Sequence, residues 1–136
     1  MDSFYLIFGI GIAGGLGSLA RYGTGLGAAA IFGTAYPFGT LIVNVAGSFL
    51  FGFCAGTAVI PAAWKPVLLI GFLGGFTTFS ALAFENYHFL TQQRYFVFAV
   101  HLLGQNILGI AAVLAGMTAA PYVIGVLTCF SGGRTG

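Results

Sequence analysis

Residues 71–85 read GFLGGFTTFSALAFE, and they interrupt an apolar stretch otherwise long enough to cross a bilayer. Gly74 and Gly75 are followed by Phe76, by the β-branched hydroxyl residues Thr77 and Thr78, and by Phe79 and Ser80. These are poor helix formers placed in succession, so the pattern predicts a membrane helix broken near its middle. Lipid cannot satisfy the amides and carbonyls that such a break frees. They must be buried in protein or line a polar cavity, and the expectation is an ion site.

Of the 136 residues, 59% are hydrophobic and 4% charged, with a mean hydropathy of +1.04. Such a chain is not a soluble globular domain. At roughly 20 apolar residues per crossing, it reads as an all-α membrane protein with four transmembrane helices, the third of them broken. The spans are expected at about 4–31, 37–59, 67–90 and 95–119. Residues 1–120 then form one transmembrane domain, with 121–136 as a C-terminal tail. Met1-Asp2-Ser3 lacks a basic region and no cleavage site follows, so residues 4 onward are expected to stay as the first span.

Charge and chemistry narrow the function classes. The four cations Arg21, Lys65, Arg94 and Arg134 are spread along the chain, which is no nucleic-acid footprint. Cys54 and Cys129 sit in apolar surroundings without metal-ligand spacing and read as small packing residues. No nucleophile–base constellation or carboxylate pair suggests an enzyme.

Polar residues inside the spans carry the remaining signal. Thr40, Asn44 and Ser48 recur at i, i+4 and i+8 and share one face of the second helix. The hydroxyls can bond their own helix, but the Asn44 amide needs a neighbouring helix or a polar path. His101 and Gln105 are i, i+4 neighbours on the fourth span, which reads either as a polar track or as interhelical bonding. Arg21 lies about 25 Å along the first helix from Phe4, and two readings stand side by side: a snorkelling anchor or an anion-attracting vestibule residue. Glu85 lies about 16 Å beyond Gly74. It reads either as a solvated helix-end carboxylate or as a pore-mouth group.

With four spans, Lys65 and Arg134 fall on one side of the membrane and Arg21 and Arg94 on the other. The positive-inside rule has no bias to act on. Insertion in both orientations is then allowed, and with it an antiparallel dual-topology homodimer in which the third-span breaks of two copies can meet at the midplane. Converging carbonyls there suit a hard cation.

Over residues 5–118 the chain resembles the bacterial Fluc-type (CrcB-type) fluoride channels. The resemblance rests on Gly14-Gly15 through Arg21-Tyr22, on Pro37-Phe38-Gly39-Thr40-Leu41 leading to Asn44 and Gly47-Ser48-Phe49, and on Gly71 through Ser80 in order. It implies a fluoride-selective channel in a bacterial inner (plasma) membrane, passively exporting fluoride and protecting the cell from its toxicity. It also implies an antiparallel homodimer with a central structural sodium ion held by the Gly74 and Thr77 carbonyls of both copies. By motif position, Phe79 is the first pore phenylalanine, Asn44 the pore amide donor, Thr78 and Ser80 part of the hydroxyl-bearing segment, and Arg21 the vestibule arginine.

Two positions depart from the family pattern. Leu82 stands where a second pore phenylalanine is usual, and the fourth span carries His101 and Gln105 where hydroxyl residues are usual, so conduction is expected to vary with pH. The rival class, a small dual-topology proton-coupled multidrug-type exporter, requires a membrane-embedded carboxylate. The first span has none.

Overall fold

The computed structural model describes residues 3–132, with side chains described through residue 125. The described residues are helical, without strands. Helix α1 is Ser3–Phe32 and α2 is Phe38–Gly56; a π-helix, Val67–Leu73, leads into one α-helical turn, α3, Gly74–Phe76; α4 is Phe79–Thr91 and α5 is Tyr95–Gly132. Counting Val67–Thr91 as one interrupted span, four helices are long and apolar enough to cross a membrane. The third is the most buried of the four.

The ends follow from local chemistry. Gly33 closes α1 at φ +74°, a left-handed conformation that glycine adopts without penalty, and its N–H bonds the Ala29 carbonyl at 2.9 Å. The Gly-Ala-rich stretch after Arg21 therefore extends the first helix, and Arg21 lies within it rather than at its end. At the far end of α2, Lys65 donates to the Ala55 carbonyl at 3.1 Å, so this lysine satisfies an orphan helix carbonyl.

Packing brings α1 against both parts of the third span's first half, and α2 against α5. Backbone approach is close: a Cβ on Gly75 would fall onto the Gly14 carbonyl. Gly52 and Gly116 bring α2 and α5 together in the same manner, as small residues do in membrane bundles.

The expected end of the fourth span before Pro121 is corrected by the structure, since α5 continues through Pro121 to Gly132. Proline removes one helical donor, a loss tolerated in membrane helices where neighbours accommodate the freed group. The Met117 carbonyl, which loses that donor, lies beside Gly56 of α2. Arg134, the Cys129 side chain and the last four residues of the expected tail lie outside what is described.

Candidate functional site

The break falls at Thr77 and Thr78, both extended, at φ −83° and ψ 162° and at φ −152° and ψ 121°. Thr78 caps the resumed helix, its Oγ1 accepting the Ala81 N–H at 3.1 Å, the ordinary role of threonine at a helix start. Its backbone is claimed by another helix. Asn44 Oδ1 accepts the Thr78 N–H at 2.8 Å, and Asn44 Nδ2 donates to the Thr78 carbonyl at 3.0 Å. One side-chain amide thus replaces both backbone partners that an unbroken helix would have given Thr78.

That diversion changes the break's carbonyls. In a continuous helix the Thr78 N–H would serve the Gly74 carbonyl, and here it does not. Gly74 is exposed. The Thr77 carbonyl accepts from Arg21 Nη1 at 3.2 Å and keeps a second lone pair. Arg21 therefore faces the break rather than reaching out as a surface anchor.

From Asn44 the network continues inward. Its Nδ2 also donates to Gln105 Oε1 at 2.8 Å, and Gln105 Nε2 lies 3.3 Å from His101 Nε2. His101 is fully buried. Its Nδ1 is 2.8 Å from the Tyr36 hydroxyl and its Nε2 3.1 Å from Glu85 Oε2, while Thr40 donates to the other Glu85 oxygen. The Tyr36 and Phe89 rings stand edge-on to the imidazole at 5.2 and 5.4 Å. Tyr36 sits in the connection before α2, where burial first and the Glu85 charge second push its phenol above the ordinary range. It remains a protonated hydrogen-bonding group at neutral pH.

Two cavities flank this network. One, of about 330 Å³, is lined by Arg21, Tyr36, Thr40, Thr78 and Glu85 among others. The second, of about 270 Å³, is lined by Asn44, Ser48, Thr77, Thr78, Phe79 and Leu82 and carries no ionisable group. Thr78 borders both.

The family model described as CrcB-like protein, Camphor Resistance (CrcB), matches residues 8–117. The chain belongs to the CrcB family. Curated relatives named "Fluoride-specific ion channel FluC" include that of Nitrosococcus oceani, 38% identical over 118 residues covering 84% of this chain and 94% of the relative. Another, from Nitratidesulfovibrio vulgaris, is 43% identical over 113 residues covering 79% and 90%. A third, from Solidesulfovibrio magneticus, is 40% identical over 112 residues covering the same shares.

Within this CrcB-family chain the residues singled out by sequence fall into three groups. Asn44 is hydrogen-bonded to Thr78 and to Gln105, and His101 Nε2 lies between Gln105 Nε2 and Glu85 Oε2, its one hydrogen-bonding position able to serve a single partner at a time. Glu85 is neither a fully solvated helix end nor a free mouth group, for its side chain is 21% exposed and paired with His101. Ser80 is exposed and its hydroxyl oxygen lies 3.2 Å from that of Thr78. Phe79 projects outward from the chain, 79% exposed, whereas Leu82 is buried at the same cavity.

Sequence reasoning assigned no role to Tyr36 or Asn86. Tyr36 directly precedes the Pro37-Phe38-Gly39 string, and a hydroxyl partner across 65 positions leaves no local trace. Asn86 is buried and donates to the Leu82 carbonyl at 2.9 Å, and its Oδ1 has no partner among the described residues. Its one sequence signal was an amide on an otherwise largely apolar helix.

Proposed function

We propose that this chain is a fluoride-selective ion channel that passively exports fluoride across a bacterial inner membrane and so protects the cell from fluoride toxicity. The observation that carries the reading is the interrupted third span with Asn44 clamped onto its break, in a chain whose relatives are named as fluoride-specific channels. A small, strongly hydrated anion crossing lipid must exchange water for donors without being trapped by a fixed charge. Amides, hydroxyls and ring edges provide weak, multiple sites that permit entry and exit. The second cavity is lined in that way.

In this reading Arg21 raises the local anion concentration in the charged cavity, and Phe79 presents the positive edge of its ring to the ion. The working unit is an antiparallel dual-topology homodimer, supported by the even distribution of cations along the chain and by the projection of Phe79 from the protomer. The residues at the break suit a sodium ion, because Gly74 and Thr77 offer hard backbone oxygens, one of them relieved of its helical donor by Asn44. Sodium held by these carbonyls from both copies would supply structural cross-linking at the dimer centre.

Efflux from liposomes containing the purified protein, with potassium clamped by valinomycin, tests the reading. Fluoride flux without chloride flux is expected. Flux of neither ion from a folded dimer overturns it, and proton-driven uptake of a cationic drug would move the exporter class ahead.

A further inference from the structure

Asn44 has two N–H bonds on its amide nitrogen, and both are already used. One goes to the Thr78 carbonyl at 3.0 Å and the other to Gln105 Oε1 at 2.8 Å. The orientation of this amide is set by chemistry, because the Thr78 backbone N–H can only donate and so must face Oδ1. The atom of Gln105 turned toward Nδ2 must then be its oxygen. An anion that takes a hydrogen bond from Asn44 has to displace one of these two acceptors.

The two are unequal. The Thr78 carbonyl belongs to backbone at a helix cap, held by the neighbouring Thr78 N–H contact to the same side chain and by the cap bond to Ala81. The Gln105 oxygen sits at the end of a side chain with three rotatable bonds, its nitrogen 3.3 Å from His101 Nε2, an atom that also lies 3.1 Å from Glu85 Oε2 and can serve one of the two. Gln105 is the acceptor that yields.

Resting on the channel reading, we infer that the Gln105 side-chain oxygen occupies the anion's place on Asn44, making Gln105 a positioning residue that fluoride displaces and weaker acceptors do not. Between ions, the oxygen keeps the Asn44 donor aimed and satisfied, which a buried amide requires. During passage the entering ion must outcompete a 2.8 Å N–H···O bond. Fluoride is the strongest hydrogen-bond acceptor among the halides, and chloride is a poor exchange for that oxygen. Selectivity then comes partly from an internal competitor rather than from pore width alone.

The test is fluoride and chloride efflux from liposomes as a function of ion concentration, separating half-saturating concentration from maximal flux. Gln105→Met keeps the side chain's length and removes the acceptor. Its half-saturating fluoride concentration is expected to fall threefold or more, with chloride flux rising measurably above the wild-type level. Gln105→Glu keeps an acceptor oxygen and strengthens it, and its half-saturating concentration is expected to rise threefold or more. A loss of maximal flux with unchanged half-saturation and unchanged chloride exclusion in both variants would mean a merely structural role and overturns the inference. If Gln105→Met does not fold, an unchanged half-saturation in Gln105→Glu overturns it alone. Absence of fluoride flux in the wild type overturns the channel reading itself, a separate outcome.

Discussion

The two cavities on either side of Thr78 differ in one respect that matters most for an anion. The larger holds Arg21 and Glu85, while the smaller is lined by an amide, hydroxyls, the Phe51 and Phe79 rings and aliphatic side chains. Fixed charge in a low-dielectric cleft concentrates ions but also holds them; neutral donors release them. In the proposed channel reading, the difference teaches that attraction and passage fall in separate places, with Thr78 bordering both. Thr78 can serve both because its backbone points to Asn44 and its hydroxyl to the cap and Ser80.

The sharpest way to break this division is at the neutral cavity. Asn44→Ala leaves the Thr78 N–H and the Gln105 oxygen without their partner, a loss of up to about 3 kcal/mol or roughly a hundredfold. Fluoride flux should fall by that order while chloride remains excluded. Retention of near-wild-type flux would show that the smaller cavity is not the passage.

A smaller effect is expected at the charged cavity. Arg21→Gln should cut initial fluoride flux by about tenfold at low ionic strength, and the deficit should shrink at about 1 M salt, where screening acts over about 3 Å. A deficit that ignores salt would assign Arg21 to holding the Thr77 carbonyl instead of attracting ions.

The link between the two regions should respond to substitution at His101. Groups facing His101 are the Glu85 carboxylate and the Tyr36 phenol, with Arg94 stacked at 5.2 Å over the Phe89 ring that flanks the imidazole. His101→Ala removes the imidazole from between Glu85, Tyr36 and Gln105 and leaves buried polar groups without a partner. Fluoride flux at fixed pH is expected to fall by about threefold; unchanged flux would show that the two regions are not linked through His101.

Leu82→Phe is expected to have the least effect, within about twofold, because the residue is already buried and offers only an apolar wall to the neutral cavity. A tenfold gain would mean that the second aromatic edge, absent here, contributes a real anion contact.

Much of this architecture was legible before any coordinates. Four apolar runs and the succession from Gly74 to Ser80 sufficed for four spans with a broken third, since hydropathy and helix propensity act over a few adjacent residues. The i, i+4, i+8 placement of Thr40, Asn44 and Ser48 similarly announced an inward polar face, and all three do meet the cavities. Pro121 misled because local propensity treats proline as a stop, while packing of α5 beside α2 carries the helix past it.

What no local pattern could give is which polar group meets which. Asn44 finds Thr78 across 34 positions and Gln105 across 61, and His101 finds Tyr36 across 65. Each partner depends on how far a whole helix is rotated and slid against another, a quantity set by glycine contacts such as Gly75 on Gly14. The chain by itself determined that a polar break lies within the membrane and that Asn44 must find a partner. Only the packing of the helices decided that the partner is the break, and that Glu85 reaches it through a buried histidine.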